Sequence, residues 1–412
     1  EGSGTFEAGA TVRWSLSGGV SVDVVNRGEL TVDGELRLDG ATITNFGKIR
    51  LDPGEPLFTW IYTGEDGGEI FNKSGATFTA IAPDGTGIQI DPPVTNEGTL
   101  QSSSVTWNSV TNNGRLVVNE GSLDSPTNVG LLTLGAGTIT GRGDLHLRDV
   151  TVRSQGNTLS ARPGATVFTG GEISGGTLTF AAGTRVMFTD NSTTYLRSSV
   201  ANRGAVTVRG HLSFEGATWT NYGTLTITDE TDDYWYYNSV ASGEGSNQIV
   251  NKAGATITAS SSGDESLDDV WIDVPVLNEG ALVSTSAMWG EVVNRGTFEI
   301  TPQPATEAAT YVGILMLEQG SITGVGSLSI GSVVVPPGGH SLSARSGQYV
   351  FNGGEISGGT LTFTTGTTVT FADNSTTYLR SSVVNRGSVT VEEHLSLEGV
   401  TWTNYGSLTI ID

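Results

Sequence analysis

The chain has 412 residues, of which 43 are acidic and 20 basic, so its formal net charge at pH 7 is −23. A surface of that sign repels nucleic acid and anionic lipid, and no run of about 18 apolar residues is present, so we expect neither a nucleic-acid partner nor membrane insertion. Cysteine is absent, which excludes disulfides and thiolate chemistry, while 58 glycines and only 15% charged residues argue against long amphipathic helices.

A short motif, Asn-x-Gly-x-apolar-x-apolar, recurs from "NRGELTV" at Asn26 to "NYGSLTI" at Asn404. Glycine permits a positive φ or a close backbone approach, asparagine can bond its own backbone, and apolar residues two apart face one side of a strand. The motif therefore predicts a corner followed by a half-buried strand, with a variable, exposed residue between Asn and Gly. The predicted corner residues are Asn26, Gly28, Asn45, Gly47, Asn96, Gly98, Asn112, Asn202, Gly204, Asn221, Gly223, Asn278, Gly280, Asn294, Gly296, Asn385, Gly387, Asn404 and Gly406.

Successive motifs lie roughly 16 to 30 residues apart, which is the length of one coil in a stacked solenoid. Stacking would place each strand about 4.8 Å from its equivalent in the next coil, and equivalent asparagines would form a hydrogen-bonded ladder. Because parallel crossovers are overwhelmingly right-handed, we predict an all-β fold, a right-handed parallel β-helix of roughly twenty coils with side loops.

The motifs also belong to a longer repeat. The phrase "GGEISGGTLTF" at Gly170 recurs at Gly353, and "DNSTTYLRSSV" at Asp190 recurs at Asp373, both 183 residues later. We predict one continuous solenoid over residues 1–412, with repeat units at approximately 1–25 (partial), 26–201, 202–384 and 385–412 (partial). Both ends fall inside a unit, so we expect further repeats of the same chain, or identical subunits, stacked end to end.

The corner motif, as in "VNRGELTV" and "VTNEGTLQ", together with the Gly, Thr, Ser and Val content and the absence of cysteine, resembles secreted bacterial right-handed β-helices. Autotransporter passenger domains and filamentous-haemagglutinin-like adhesins are of this kind. The resemblance covers essentially the whole chain and concerns architecture. It implies export from the cell and a role at the cell surface.

Acidic residues cluster in the loops that differ between the repeat copies, as in "DETDDYWYYN" and "GDESLDDVWID". No carboxylate pair recurs in a matching frame, so solvated loop acids are the main interpretation, and neither a cofactor nor a catalytic residue is expected. Ca²⁺ is the alternative ligand, since it prefers carboxylate oxygens. The candidate Ca²⁺ ligands are Asp232, Asp233, Asp264, Asp268 and Asp269.

Aromatic residues in corresponding loops of two copies are candidate contacts for a sugar or a protein partner, because rings beside carboxylates stack on sugar faces. The alternative is that they cover the side of the core. They are Trp60, Tyr62, Tyr234, Trp235, Tyr236 and Tyr237. Trp107, Trp219, Trp289 and Trp402 lie in strand-like stretches and are expected to pack in or on the strands. No metal-binding or catalytic role is expected for His146, His211, His340 or His394.

These observations favour an extracellular structural or adhesive protein: a rod that forms part of a bacterial surface stalk, adhesin or fibre, with glycans or cell-surface proteins as further candidate partners. It is not expected to be an enzyme. The alternative is a carbohydrate-binding or polysaccharide-degrading β-helix, and a third hypothesis is an ice-binding solenoid that presents threonine arrays such as "TLTIT".

Overall fold

Short parallel β-strands build both units of the chain, Glu1–Ser199 and Val200–Asp412, in a computed structural model. The structure describes residues 3–15, 17–53, 58–83, 86–121, 126–189, 192–228, 239–261, 270–302, 309–372, 375–392 and 394–411. Within these ranges every regular element is a strand, so there is no helix of the length and hydrophobicity that crossing a membrane requires.

The predicted fold class is confirmed: the chain is all-β and forms a parallel β-solenoid. It has about 17 turns, fewer than the roughly twenty expected. The reason is that some turns are long, with 30 residues between Asn221 and Asn251 against 16 between Asn96 and Asn112. The handedness of the coil and its continuity over the whole chain stay predictions.

The strands of the first unit are β1 (Ser3–Phe6), β2 (Thr11–Trp14), β3 (Gly18–Val20), β4 (Asp23–Asn26), β5 (Glu29–Val32), β6 (Glu35–Leu38), β7 (Ala41–Asn45), β8 (Lys48–Leu51), β9 (Phe58–Thr63), β10 (Gly68–Asn72), β11 (Thr77–Ile81), β12 (Gly87–Ile90), β13 (Val94–Asn96), β14 (Thr99–Ser103), β15 (Val105–Asn112), β16 (Arg115–Val118), β17 (Thr127–Leu134), β18 (Thr138–Thr140), β19 (Leu145–Val152), β20 (Asn157–Leu159), β21 (Thr166–Phe168), β22 (Gly171–Gly175), β23 (Leu178–Phe180), β24 (Arg185–Phe188) and β25 (Thr193–Leu196).

The strands of the second unit are β26 (Val200–Asn202), β27 (Ala205–Val208), β28 (His211–Phe214), β29 (Thr218–Asn221), β30 (Thr224–Thr228), β31 (Ser239–Ser242), β32 (Gln248–Asn251), β33 (Thr256–Ser260), β34 (Trp271–Ile272), β35 (Val276–Asn278), β36 (Ala281–Thr285), β37 (Met288–Asn294), β38 (Thr297–Ile300), β39 (Thr310–Leu317), β40 (Ser321–Gly324), β41 (Leu328–Val335), β42 (His340–Leu342), β43 (Tyr349–Phe351), β44 (Gly354–Gly358), β45 (Leu361–Phe363), β46 (Thr368–Phe371), β47 (Thr377–Leu379), β48 (Val383–Asn385), β49 (Ser388–Val391), β50 (Leu395–Leu397), β51 (Trp402–Asn404) and β52 (Ser407–Ile410).

Side chains alternate inward and outward along these strands, as the spacing of the apolar residues predicts. In β6, Leu36 and Leu38 are buried while Glu35 and Arg37 point outward. Each fully buried aliphatic side chain contributes about 1.5–3 kcal/mol, so a column of them supplies most of the free energy that holds the turns together. Aromatic rings also stack between turns: the ring centroids of Phe168 and Phe188 lie 4.8 Å apart at an interplanar angle of 13°.

The predicted asparagine ladder is present in both units. In the first unit, the side-chain Nδ2 of each corner asparagine donates to Oδ1 of the next, over distances of 2.8 to 2.9 Å, through Asn26, Asn45, Asn72, Asn96 and Asn112. The second unit has a matching ladder through Asn202, Asn221, Asn251, Asn278 and Asn294. All ten side chains are at most 1% exposed.

Each ladder asparagine also bonds the backbone, which adds a second partner to its amide inside the ladder. Nδ2 of Asn45 donates to the carbonyl oxygen of Thr77 at 3.1 Å, and its Oδ1 accepts the amide N–H of Gly47 at 3.2 Å. Buried amides without such partners would cost about 1–3 kcal/mol each. The ladder is therefore a satisfied polar column inside an otherwise apolar wall.

The corner glycines allow close approach between turns. A Cβ added to Gly47 would lie 2.1 Å from the carbonyl oxygen of Gly28, and one added to Gly296 would lie 2.1 Å from that of Gly280. These corner glycines do not have positive φ. The close approach, which is one of the two reasons expected for glycine, is therefore the one that applies.

The longer repeat is not a whole number of turns. In the second unit the ladder that starts at Asn202 lies in a sheet that continues through β39, β41, β44, β47 and β50. Asn385, 183 residues after Asn202, lies instead in a separate sheet formed by β42, β45, β48 and β51, where it donates to Asn404 at 2.7 Å. Equivalent residues of successive repeats thus lie on different sides of this unit.

Candidate functional site

Several predicted site residues lie outside the described residues. These are the candidate Ca²⁺ ligands Asp232, Asp233, Asp264, Asp268 and Asp269, and the aromatic residues Tyr234, Trp235, Tyr236 and Tyr237. Among the residues that are described, no group of three or more His, Asp or Glu side chains is placed to hold a metal ion.

Trp60 and Tyr62 lie on β9, and both point outward. Their side chains are half-buried, and their ring centroids lie 4.7 Å apart. The ring of Phe58 completes the cluster, 6.3 Å from that of Trp60. The three rings form a partly exposed aromatic platform on the outward face, whereas Trp107, Trp219 and Trp289 are buried in the core.

A polar groove begins beside this aromatic platform. The indole Nε1 of Trp60 donates to Oδ2 of Asp91 at 2.8 Å, and the side-chain Nε2 of Gln89 donates to Oδ1 of the same carboxylate, also at 2.8 Å. Asn108, one turn further on, donates to the backbone carbonyl of Asp91 at 3.1 Å. Both oxygens of the carboxylate are therefore held by neighbouring side chains, which fixes the geometry at this end.

The groove continues along β12, β15, β17 and β19, in the strand register that places Trp60, Gln89, Thr106, Asn128 and His146 in one outward column. The depression lined by Gln89, Thr106, Asn128 and His146 has a volume of about 230 Å³, and Trp60 lies next to Gln89 at its end. A second depression of about 340 Å³ adjoins it, and His146 lines both. We refer to the depression along this column as the lateral groove.

His146 and Arg148 form the far end of the lateral groove. Burial lowers the pKa of His146, and the negative charge of Asp144 opposes that shift. The imidazole is therefore neutral at pH 7 and offers one donor and one acceptor. The Arg148 side chain is 72% exposed, and its nearest carboxylate, that of Asp149, is 3.9 Å away.

The second unit has a different surface at the equivalent positions of the repeat. Trp271, Met288, Tyr311 and Ser329 follow one another there in strand register, where the first unit has Gln89, Thr106, Asn128 and His146. Trp271 is 44% exposed. The buried ladders match between the units, whereas this column differs in its chemistry.

No match was found between this chain and protein-family models, curated proteins or solved structures. The resemblance to β-helix proteins is therefore one of architecture, which the parallel β-solenoid confirms. What the chain does has to be argued from its own surfaces.

Residues between Asn and Gly at the corners do not vary freely, contrary to expectation. They stack on the outside of the ladder: the guanidinium of Arg27 lies 4.8 Å from the ring centroid of Phe46, and that of Arg203 lies 4.4 Å from that of Tyr222. Further along, Lys73 pairs with Glu97 at 3.2 Å. The signal was available in the sequence, since the order Arg, aromatic, Lys, Glu is the same in both copies.

A buried arginine was missed because its bonds are to backbone. Arg162 is 7% exposed and donates to the carbonyl oxygens of Gly143 and Ala165. Burial lowers the pKa of Arg162 to about 10, which leaves the guanidinium charged at pH 7. Arg345, 183 residues later, repeats the arrangement with the carbonyls of Gly326 and Gln348.

Replacing Arg162 by lysine should lower the free energy of unfolding by about 1–3 kcal/mol, because an ammonium lacks the planar fork that reaches both carbonyls and leaves one unbonded. Urea unfolding followed by circular dichroism measures the change. The matched control is Arg50→Lys, on an exposed side chain paired with Asp52 at 3.4 Å, which should change stability by no more than about 0.5 kcal/mol. Equal effects of the two substitutions would contradict this assignment.

Proposed function

We propose that the chain is an extracellular structural and adhesive protein, a β-solenoid segment of a bacterial surface stalk, adhesin or fibre. The observation that carries the proposal is that the residues inside the solenoid and those on its surface differ in how well they match between the repeats. Those that stack the turns, such as Asn45 and Asn221 or Phe168 and Phe351, recur between the repeats, whereas the outward column that includes the lateral groove differs. A repeat of this kind sets length and presents surfaces.

The architectural resemblance to autotransporter passenger domains and filamentous-haemagglutinin-like adhesins supports the same proposal, because it implies export from the cell and a role at the cell surface. Glycans and cell-surface proteins are the proposed partners of the lateral surfaces. The proposal includes neither a catalytic role nor a cofactor, although Ca²⁺ bound by loop acids is compatible with it.

Antibodies raised against the chain should label intact cells of the source organism, and electron microscopy of the native material should show thin fibres or rods at the surface. Labelling that requires permeabilised cells would contradict the proposal. Hydrolysis or lyase products released from polysaccharides by the purified chain would contradict its non-catalytic part.

The last described turn presents an apolar face. Leu397 is 51% exposed and Ile410 is 72% exposed, and they line a depression of about 590 Å³ together with Trp402 and Leu408. In earlier turns the residues equivalent to Leu408 and Ile410, Leu225 and Ile227, are buried. We propose that the partner of this face is a solenoid turn of an identical subunit stacked end to end.

Ile410→Glu should therefore weaken self-association of the 412-residue protein, because a carboxylate on this face would have to be desolvated on stacking. Sedimentation velocity at increasing protein concentration measures the effect, and a shift of the association midpoint of about tenfold or more is expected. Val325→Glu, at a side chain that is 55% exposed elsewhere in the same unit, is the matched control and should change little. Monomeric wild-type protein at all concentrations would contradict end-to-end stacking.

A further inference from the structure

We infer that the lateral groove of the first unit binds a linear, uncharged oligosaccharide. This inference deepens the proposed adhesive function and rests on it. It names the class of ligand, and it places the binding surface on one side of one unit, between the aromatic platform at Trp60 and the polar end at His146.

The aromatic platform supplies the first contact. Trp60 and Tyr62 are outward and only half-buried, and the hydrogen bond from Trp60 to Asp91 holds the indole ring in one orientation. A rigid, partly exposed ring of this kind buries apolar area at little cost in side-chain entropy, and the C–H face of a pyranose is an apolar surface that fits it. The platform therefore selects a ligand with flat apolar faces.

Three amide side chains in successive turns supply the second contact. Gln89, Asn108 and Asn128 each direct the NH₂ group toward the protein, to the Asp91 carboxylate, the Asp91 carbonyl and the Pro126 carbonyl, the last at 3.3 Å. Their side-chain carbonyl oxygens accept no hydrogen bond from any residue within the described ranges. Acceptors oriented in this way call for a ligand rich in hydroxyl donors.

The spacing of these groups matches a chain-like ligand. Trp60 and His146 are four strand positions apart in the register, which corresponds to roughly 19 Å at about 4.8 Å per strand. Polar groups recur at each step between them. An extended ligand with repeating hydroxyl groups would meet them in turn, whereas a small compact ligand would contact only one end.

Charge favours an uncharged sugar. The protein carries a formal charge of −23, which repels polyanions. Within the groove, the carboxylate of Asp91 is already held by Trp60 and Gln89, so it does not call for a cationic ligand. The guanidinium of Arg148 is largely exposed, and a sugar hydroxyl is an adequate acceptor for its N–H groups.

The second unit provides an internal contrast. At the equivalent positions it has Trp271, Met288 and Tyr311, which lack the row of side-chain carbonyl acceptors. The column in the second unit is therefore not expected to bind the same ligand, and the inferred binding is assigned to the lateral groove of the first unit.

The test uses the full 412-residue chain on an array of linear oligosaccharides of increasing length, with neutral glucose, galactose, mannose and N-acetylglucosamine series beside uronic-acid series. Binding to at least one neutral series is expected, with affinity that rises with length up to about the four-strand span of the groove. Calorimetry with the bound oligosaccharide then compares variants. Trp60→Ala and Asn108→Leu should each weaken binding by about tenfold or more.

The matched control is Tyr222→Ala, which removes another outward aromatic ring, 44% exposed, at a corner of the second unit. It should leave binding unchanged. Asn108 is exposed, so its replacement tests the groove even if Trp60→Ala perturbs folding. Absence of binding to every neutral series, binding to acidic series alone, or equal losses in the Trp60 and Tyr222 variants would each overturn the inference. Surface labelling of intact cells does not depend on these outcomes, so the adhesive proposal is tested separately.

Discussion

Replacing Asn72 by aspartate should lower the free energy of unfolding of the first unit by about 3–5 kcal/mol, because the change leaves a buried charge among partners that cannot neutralise it. Asn72 is fully buried in the middle of its ladder, where Nδ2 donates to Oδ1 of Asn96 at 2.8 Å and to the carbonyl of Thr99 at 3.0 Å. A carboxylate at this position would face two acceptors and donate to neither. Urea unfolding monitored by circular dichroism measures the loss.

The loss should depend on pH in a defined direction. Burial and the facing acceptors raise the pKa of the new carboxyl group above its unfolded value of about 3.9, so the folded state binds the proton more tightly than the unfolded state. The variant is therefore least destabilised below about pH 4, where the carboxyl keeps one O–H donor, and loses stability as the pH rises through the folded-state pKa. A pH-independent loss would contradict this explanation.

Asn404→Asp is the matched control for the ladder. Asn404 occupies the same corner position but is exposed, and its Oδ1 accepts from Asn385 at 2.7 Å while its Nδ2 donates only to its own Gly406 carbonyl. An aspartate at 404 keeps the acceptor role and remains hydrated, so a change of no more than about 0.5 kcal/mol is expected. A large loss at both positions would mean that the motif, and not burial in the ladder, is what matters.

Gly47→Ala should destabilise the first unit by about 3 kcal/mol, because the new methyl group has no room between two turns. Its Cβ would lie 2.1 Å from the carbonyl oxygen of Gly28. That oxygen also accepts the amide N–H of Lys48 at 2.9 Å, so relieving the overlap would break an inter-turn hydrogen bond. Hydrogen exchange at Lys48 and Thr77, measured by NMR, should show local loss of protection beside the lowered unfolding midpoint.

Two other glycines separate steric overlap from backbone conformation. Gly338 has open space around its Cβ position and no positive φ, so Gly338→Ala should be neutral or stabilise by about 0.4–1 kcal/mol through the unfolded state. Gly75 also has open space but a φ of +83°, so Gly75→Ala should cost about 1–2 kcal/mol from conformation alone. If Gly47→Ala costs no more than Gly75→Ala, close approach is not the reason for glycine at the corners.

The local sequence by itself determined how each turn of the solenoid is built and how it packs on its neighbours. The motif around Asn26 and Asn202 specifies a corner, a buried amide and an inward apolar pair, and each of these depends only on contacts with the turns directly above and below. Because a corner asparagine recurs in each of these turns, the ladder follows from the repeat itself, even though successive asparagines are 16 to 30 residues apart. For the same reason, Trp107, Trp219 and Trp289 were predicted correctly as packing residues.

Only the tertiary structure decided which outward side chains of successive turns lie next to one another. It also decided on which side of the solenoid the equivalent residues of each repeat lie. β15 pairs with both β12 and β13 of the preceding turn, and β37 pairs with both β34 and β35. The longer repeat is therefore not a whole number of turns, and Asn385 lies in a different sheet from Asn202. The lateral groove brings Trp60 and His146 into one column although 86 positions separate them in the chain. Which residues share such a column depends on the lengths of all the turns and loops between them, and a short sequence motif does not predict those lengths.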